Sequence, residues 1–276
     1  MKNFIGAKES YTSAKIVLFG VPFDATSSFR AGSRFGPDFI RLVSDEIETY
    51  SPYQDRDLED INFMDAGNLE ISPGDIGSAM DVIHDFSAKL IKDNKIPFAL
   101  GGEHLITYPI IKALRKKYRE ITLIHLDAHT DLREGYMGFQ LSHASVIRLI
   151  WDLKNISLVQ VGIRSGTREE FRFMKKNQTL YSLNQLEKIN EKIRNKNVYI
   201  TLDVDVFDPS VLPGTGTPEA GGMTFVPFME FLLGLRDFNL IGLDVVELNP
   251  EVDRSQNSSI FASQLVRELL LKVYSK

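Results

Sequence analysis

The chain has 276 residues, of which 43% are apolar and 25% are charged, and its formal net charge is −5. A chain of this length hides roughly three quarters of its extended surface on folding, so it can form a sizeable hydrophobic core. Mild acidity argues against a nucleic-acid partner, and the absence of cysteine excludes disulfides, a thiolate nucleophile and a cysteine-ligated zinc site.

The sequence contains no predicted membrane span or secretion signal. Its first nine residues lack the apolar core of a signal peptide. No stretch approaches the roughly 20 apolar residues that cross a bilayer. We therefore expect a cytoplasmic protein without a membrane partner.

Short runs rich in Val, Ile and Leu alternate with longer segments of helical period. In chain order, strands are predicted at 15–21, 61–65, 96–100, 121–126, 156–161, 198–203 and 240–245. Helices are predicted at 36–50, 75–93, 105–117, 143–151, 167–176, 225–231 and 258–273. Strands that are apolar on both faces and alternate with helices form a parallel sheet with helices on both sides. The sequence therefore predicts an α/β fold and, because no linker or repeat interrupts it, one domain over residues 1–276.

Two long segments, 127–142 and 205–223, interrupt this alternation. The second contains Pro209, Pro213 and Pro218 and cannot be helix or strand throughout. Long irregular segments in a compact domain are usually functional. Ligands of open parallel sheets bind beyond the carboxyl ends of the strands. Both segments begin at such an end, so we expect the functional site there.

Three clusters of acids and histidines directly follow predicted strands. They are GGEH (101–104), DAHTD (127–131) and DVD (203–205). Residues two apart on a strand project to the same side, so we expect Asp127 to project with His129 and Asp203 with Asp205. Carboxylates that converge without basic partners repel one another and lose their solvation, a cost that metal ions remove.

The ligand types indicate which metal binds. Carboxylates and imidazoles without sulfur suit Mn²⁺ and also accept Co²⁺, Zn²⁺ or Fe²⁺. Two ions about 3.5–4 Å apart activate a water molecule at neutral pH. An isolated D-x-D or a lone histidine after two glycines is often structural, whereas three such clusters in sequence are specific. We therefore predict a hydrolase that uses two divalent metal ions.

These clusters, with further motifs, resemble the ureohydrolase family, which includes arginases and agmatinases. The motifs are GVPFDATSSFRAGSRFGPDFIR (20–41), GGEH (101–104), DAHTD (127–131), SHASV (142–146), DVDVFDPSVLPGTGTPEAGG (203–222) and DVVELNP (244–250). The motifs occur in the family's order, the resemblance covers nearly the whole chain, and the first motif resembles the agmatinase branch. The resemblance implies a three-layer α/β/α domain around a mostly parallel eight-stranded sheet, assembled as a trimer or hexamer.

The resemblance also implies roles for individual residues and two Mn²⁺ ions per subunit. One ion would be held by His104, Asp127, Asp131 and Asp203, and the other by Asp127, His129, Asp203 and Asp205. Glu247 would pair with the guanidinium group of the substrate as a planar fork. Asp131 would also accept a hydrogen bond from the nucleophile. His143 would bind near the substrate and carry a proton to the leaving amine.

The implied reaction is hydrolysis of a guanidino group to urea and an amine, and agmatine is the leading substrate. Arginases read the α-carboxylate of arginine with an asparagine at the position of Arg133. Here that position is an arginine, followed by Glu134, and the absence of the asparagine favours a substrate without the amino-acid head group. Leu105 and the pair Ala144-Ser145 also depart from the family pattern, the latter within the substrate pocket. The alternative substrates are aminopropylagmatine, guanidinobutyrate, arginine and formiminoglutamate.

Two further hypotheses differ in class. A two-metal phosphoesterase would need cationic clamps, for which Arg133 and Arg164 are the only obvious candidates. A non-enzymatic sensor with a decayed site would have lost metal ligands, whereas all six are present.

Several polar residues near the motifs are interpreted as structural. His125 is interpreted as a core residue or a support for the site, and His84 as a surface residue. Asp208 is expected to brace its own loop. Asp24 and Arg30 either line the pocket or form a turn.

Overall fold

Eight parallel strands form the central sheet in a computed structural model that describes residues 2–8, 10–72 and 74–274. They are β1 (Ile16–Val21), β4 (Phe63–Asn68), β5 (Ile96–Gly101), β6 (Ile121–Leu126), β7 (Ile156–Val161), β8 (Leu180–Tyr181), β9 (Asn197–Asp203) and β10 (Asn239–Val246). Their order across the sheet is β4-β1-β5-β10-β9-β6-β7-β8. β2 (Tyr50–Ser51) and β3 (Arg56–Asp57) form a separate antiparallel hairpin.

Helices cover both faces of the sheet. They are α1 (Gly36–Val43), α2 (Ile76–Lys92), α3 (Thr107–Leu114), α4 (Val146–Asp152), α5 (Arg168–Asn177), α6 (Leu186–Ile193), α7 (Phe225–Gly234) and α8 (Asn257–Val273). Ile16 and Leu18 of β1 face one apolar core with α1, α6, α7 and α8, whereas Val17 and Phe19 face a second core with α2 to α5. This alternation confirms the predicted three-layer α/β/α fold. No helix in the described ranges is long and apolar enough to cross a membrane.

The structure contains each predicted strand and helix, with small differences at their ends and one larger error. The helix predicted over 36–50 is too long. α1 ends at Val43, a 3-10 turn follows at Ser44–Glu46, and the chain is extended from Ile47. The Ser44 hydroxyl donates to the Arg41 carbonyl and accepts from the Ile5 amide, so the side chain competes with the helical ladder.

The prediction also missed β8 and α6. β8 pairs with β7 over two residues, Leu180 and Tyr181, which is too short to show an alternating pattern. α6 is a two-turn helix with the polar sequence LEKINEKI, whose buried side is formed mainly by Ile189 and Ile193.

The topology brings the three motif clusters to one place. β5, β10, β9 and β6 are neighbours at the centre of the sheet. Val245 pairs with Leu100, Val246 with Asp203 and Leu126 with Leu202, so these strands end at nearly the same level. The loops that leave them therefore share one edge of the sheet.

A buried ion pair attaches α1 to β4 at the edge of this sheet. The Arg41 guanidinium donates from Nε to Asp65 Oδ2 at 2.8 Å and from Nη2 to Oδ1 at 2.9 Å. Asp65 Oδ2 also accepts the Phe4 amide at 2.9 Å. Arg41 is 1% exposed, so removing one partner would leave a buried charge unpaired.

We expect Arg41→Met to lower the free energy of unfolding by about 3–5 kcal/mol, because the Asp65 carboxylate then lacks its counter-charge. Urea denaturation monitored by circular dichroism measures the change. The double variant Arg41→Met/Asp65→Asn should be more stable than Arg41→Met, because it removes the unpaired charge. A double variant less stable than the single one would contradict this account.

Candidate metal centre

The six predicted metal ligands meet at the carboxyl edge of the central strands. They are His104 after β5, Asp127, His129 and Asp131 after β6, and Asp203 and Asp205 at the end of β9. All are buried except His129, which is partly exposed. Asp131 has a left-handed backbone with φ 51°, a conformation uncommon outside glycine that occurs often at functional sites.

Gly102 allows the strand ends to approach one another. Its amide donates to the Val21 carbonyl at 2.9 Å, and its carbonyl accepts the Glu247 amide at 2.8 Å. A Cβ atom at this position would overlap the Phe23 carbonyl oxygen. Residue 102 must therefore be glycine for the ends of β1, β5 and β10 to be joined here.

His104 lies at the centre of one group of ligands. Its Nδ1 is 3.1 Å from Asp127 Oδ2, 3.2 Å from Asp131 Oδ2 and 3.4 Å from Asp203 Oδ2. Ligand atoms that each lie about 2.0–2.2 Å from one ion are separated by roughly 3.0–3.5 Å, so these spacings fit a shared cation.

The hydrogen bonds of His104 decide which ring nitrogen is free. Thr201 Oγ1 donates its hydrogen to Asp244 Oδ1 at 2.6 Å, so it accepts from His104 Nε2 at 2.8 Å. In the neutral ring the lone pair is then on Nδ1, which is buried and has no hydrogen-bond partner among the described residues. A lone pair that faces three carboxylates is repulsive unless a cation lies between them. The donor set therefore fits a metal ion.

A second group of ligands shares Asp127 with the first. His129 Nδ1 lies 2.8 Å from Asp205 Oδ2 and 3.6 Å from Asp127 Oδ1. Asp127 thus turns one oxygen toward His104 and the other toward His129. A carboxylate between two sets of ligands is what a pair of neighbouring ions requires.

Excess negative charge marks the site. Within 4.0 Å in the described part of the chain, the ion pairs of the four carboxylates are with histidine rings only. Burial, with repulsion from Asp205 and Asp127, raises the pKa of Asp203 well above its usual range. Burial lowers the pKa of His104, but its carboxylate neighbours outweigh burial and raise it well above the ordinary value. Both shifts show an environment that divalent cations would neutralise.

His125 supports the site as interpreted from the sequence. Its ring is close enough to His104, Asp127 and Asp131 to be counted with them as a potential ligand. However, the Gln160 amide nitrogen lies 3.3 Å from Nδ1, and Asp127 Oδ2 lies 2.7 Å from Nε2. Gln160 Oε1 accepts from Thr179, so its amide nitrogen is the group that faces Nδ1. Nε2–H therefore donates to Asp127, which leaves His125 no lone pair for a cation.

Four of the predicted ligands, His129, Asp131, Asp203 and Asp205, line an open pocket of about 300 Å³ that also contains Glu247 and His143. Glu247 has a left-handed backbone with φ 66°, and its Oε1 accepts the His104 amide at 2.8 Å. Burial, with repulsion from Glu103, raises the pKa of Glu247 well above its usual range. A cationic group of a substrate would relieve that penalty. Burial lowers the pKa of His143, which favours a neutral ring.

Comparison with known proteins agrees with this geometry. The arginase family profile matches residues 14–272. An agmatinase from Bacillus cereus is 44% identical over 277 residues, 98% of this chain and 96% of that protein. An agmatinase from Bacillus subtilis is 42% identical with the same coverage. The crystal structure of the agmatine ureohydrolase of Thermoplasma volcanium is 34% identical, with a TM-score of 0.88 over 99% of this chain and 94% of that chain.

The chain belongs to the arginase family. Its membership confirms the resemblance drawn from the motifs, and the eight-stranded parallel sheet confirms the fold that the family implies.

Arg164 does not act as a phosphate clamp in this arginase-family chain. Its guanidinium donates to carbonyl oxygens of the loop after β9, including those of Asp205 and Glu219, both at 2.8 Å. The group is thus used to hold the loop, as is Asp208, whose carboxylate accepts the amides of Ser210, Gly221 and Gly222. The bracing role predicted for Asp208 agrees with these contacts.

Asp24 and Arg30, which the sequence left as either pocket-lining or turn residues, have different roles in the structure. Asp24 accepts the Gly32 amide at 2.8 Å and pairs with Arg34, so it forms the turn. Arg30 lines the pocket. His84 lies on α2, partly exposed, and bonds to Asp85.

Sequence reasoning missed four polar residues that the site uses. They are Thr26, Glu103, Glu170 and Thr201. Of these four residues, Glu170 belongs to a recognisable sequence pattern, because Thr167-x-x-Glu170 matches a capping box. The structure has this capping box at the start of α5. That pattern predicts a helix start and carries no information about a pocket.

We expect Asp203→Ala to weaken metal binding by at least about tenfold, because its Oδ2 faces the free lone pair of His104. Metal content is measured by mass spectrometry after loading stripped protein with Mn²⁺ and dialysis. Circular dichroism should show an unchanged fold. Asp152→Asn, which alters an exposed acid on α4, is the control. Retention of wild-type metal content by Asp203→Ala would contradict the assignment.

Proposed function

We propose that this chain hydrolyses agmatine to putrescine and urea with two divalent metal ions, Mn²⁺ in the cell. The observation that carries the proposal is the pair of ligand groups that share Asp127 beneath a pocket containing Glu247. Similarity to agmatinases over nearly the full length supports the choice of agmatine. Residues 1–276 would act as one ureohydrolase domain.

The first ligand set follows the group around His104, and the second adds Asp203, as the family resemblance implies, to the group of Asp127, His129 and Asp205. One ion would be held by His104, Asp127, Asp131 and Asp203, and the other by Asp127, His129, Asp203 and Asp205. Oxygen and imidazole donors without sulfur suit Mn²⁺. When bound, the ions lower the pKa of water so that hydroxide is available at neutral pH. A guanidinium carbon is resonance-stabilised and resists attack by neutral water.

Glu247 would bind and orient the guanidinium group. Its Oε1 accepts the His104 amide, which holds one carboxylate oxygen in place before substrate enters. A carboxylate and a guanidinium form two parallel charge-assisted hydrogen bonds, which give orientation as well as charge compensation. The pair would hold the guanidinium carbon above the metal ligands.

Asp131 and His143 would handle the proton. Asp131 would accept a hydrogen bond from the attacking oxygen. His143, whose neutral form is favoured because burial lowers its pKa, would take up a proton and deliver it to the leaving nitrogen as the C–N bond breaks.

Glu170 supports a substrate with a cationic tail. It is 6% exposed and lines the same pocket, with Oε2 held by the Thr167 amide at 2.6 Å. A carboxylate that is not a metal ligand would attract the terminal ammonium of agmatine. The same charge would repel the α-carboxylate of arginine.

Two arginines favour a second candidate, a guanidino acid such as guanidinobutyrate. Arg30 and Arg133 both line the pocket and would attract a carboxylate tail. However, the Arg133 guanidinium stacks over the Tyr136 ring, with its Cζ 4.8 Å from the ring centroid, so one face of the guanidinium is occupied. We therefore rank agmatine first.

The substrate is tested by urea release from agmatine, guanidinobutyrate, arginine and aminopropylagmatine in parallel, using Mn²⁺-loaded protein. Formamide release tests formiminoglutamate. We expect kcat/KM for agmatine to exceed the others by at least about tenfold, the effect of roughly 1.4 kcal/mol of charge preference. Faster turnover of guanidinobutyrate would select the second candidate, and no turnover of any substrate would reject both.

We expect Glu247→Gln to reduce kcat/KM for agmatine by at least about a hundredfold, because the charged partner of the guanidinium is lost. Glutamine can still accept the His104 amide, so both metal ions should remain bound. Glu134→Gln, a change in an exposed acid, is the control and should leave turnover unchanged. Unaltered kcat/KM in Glu247→Gln would remove this residue from the mechanism.

The proposal also includes the localisation and the assembly of the protein. The family resemblance favours a homo-oligomer, either a trimer or a hexamer, in the cytoplasm. No nucleic-acid or membrane partner is part of the proposal, and the partner of the site is a small guanidino compound.

A further inference from the structure

Thr26 contacts His143 twice. The His143 amide donates to Thr26 Oγ1 at 3.0 Å, and the ring Nδ1 lies 3.3 Å from the same oxygen. Thr26 is in the loop after β1, whereas His143 begins the turn before α4. The proposed proton carrier is therefore held from a separate loop, at its main chain and at its ring.

Glu103 fixes Thr26 in turn. Thr26 Oγ1 donates to Glu103 Oε1 at 2.6 Å, and the Thr26 amide donates to Oε2 at 2.8 Å. Glu103 is fully buried and Thr26 is 8% exposed. Two contacts between the same pair of residues leave the hydroxyl one orientation.

This arrangement determines the tautomer of His143. A threonine hydroxyl has a single hydrogen, and here it points at Oε1 of Glu103, which accepts it when the carboxyl group is ionised. The oxygen therefore presents only lone pairs to His143. Its contact with Nδ1 is attractive only when Nδ1 carries a hydrogen, which in a neutral imidazole leaves the lone pair on Nε2.

The surroundings of Nε2 agree with this assignment. Ser28 Oγ lies 3.5 Å from Nε2, and a hydroxyl there can donate toward a lone pair. Ser28 and His143 both line the pocket. The Tyr136 ring meets the imidazole edge to face, with centroids 5.8 Å apart and planes at 88°, which restricts rotation of the ring.

We propose that Glu103 and Thr26 position His143 and hold its ring in the Nδ1–H tautomer, so that Nε2 faces the substrate as the proton acceptor. The catalytic meaning of this inference rests on the proposed function. Nε2 takes the proton that the attacking water loses and returns it to the leaving nitrogen when the C–N bond breaks. The ring is neutral before and after each turnover.

Thr26→Val and Thr26→Ser form the kinetic test. Valine keeps the shape but lacks the hydroxyl, so kcat for agmatine should fall at least about tenfold, the value of one hydrogen bond of roughly 1.4 kcal/mol. KM and metal content should stay within about twofold of wild type, because no substrate or metal contact changes. Serine restores the hydroxyl and should restore kcat. Equal losses in both variants, or wild-type kcat in Thr26→Val, would overturn the proposal.

Thr215→Val is the matched control. Thr215 is 1% exposed, and within the described part of the chain its buried hydroxyl has no hydrogen-bond partner, so its loss should leave kcat unchanged. If Thr215→Val lost as much kcat as Thr26→Val, the loss would be explained by disturbed packing at any buried threonine. That outcome would overturn the proposal.

The tautomer itself is read by nitrogen NMR of wild-type protein labelled with ¹⁵N-histidine and loaded with diamagnetic Zn²⁺. The chain has five histidines, and His143→Gln identifies the signals of His143. We expect the ring hydrogen on Nδ1. A hydrogen on Nε2 would overturn the inference whatever the substrate. Absence of urea release with the hydrogen on Nδ1 would instead reject the proposed function and leave the tautomer assignment intact.

Discussion

The repulsion among four aspartates at the centre of the sheet is the constraint on which the rest of the structure depends. Asp127, Asp131, Asp203 and Asp205 are brought together because β9 and β6 are adjacent and end at the same level. Burial removes the water that would otherwise screen them. Divalent cations would relieve this repulsion, and in the neutral ring Nδ1 of His104 faces three of these carboxylates, where such a cation would be held.

Chains of hydrogen bonds around the site set the direction of each ring. Asp244 and Thr201 orient His104, Gln160 orients His125, and the last of these rings supports Asp127. In the first chain, the Asp244 carboxylate can only accept, which fixes the direction in which the Thr201 hydroxyl donates. In the second, the Gln160 oxygen already accepts from Thr179, so the Gln160 amide nitrogen faces the His125 ring. The proposed metal ligands and their supports are thus ordered by residues outside the proposed ligand sets.

The site was predictable where its residues follow strands in short motifs. Asp127 and Asp203 come directly after apolar runs, and the rule that parallel strands bind ligands at their carboxyl ends places them together. Thr26, Thr201 and Glu170 were not predictable, because each acts through a partner that is close only after folding. The end of α1 was mispredicted for the same reason, because the Ser44 hydroxyl that follows α1 accepts the amide of Ile5, which lies 39 residues earlier.

Arg164 braces the segment that contributes Asp205, Gly216 and Thr217 to the pocket. Within the described stretch 205–220, its guanidinium donates to five carbonyl oxygens, those of Asp205, Val206, Phe207, Glu219 and Ala220. A segment cross-linked this densely to one rigid side chain has little freedom to open or fold over an incoming molecule. Adaptation of the enzyme to bulkier substrates would thus fall to other residues that line the pocket, such as the exposed Phe29.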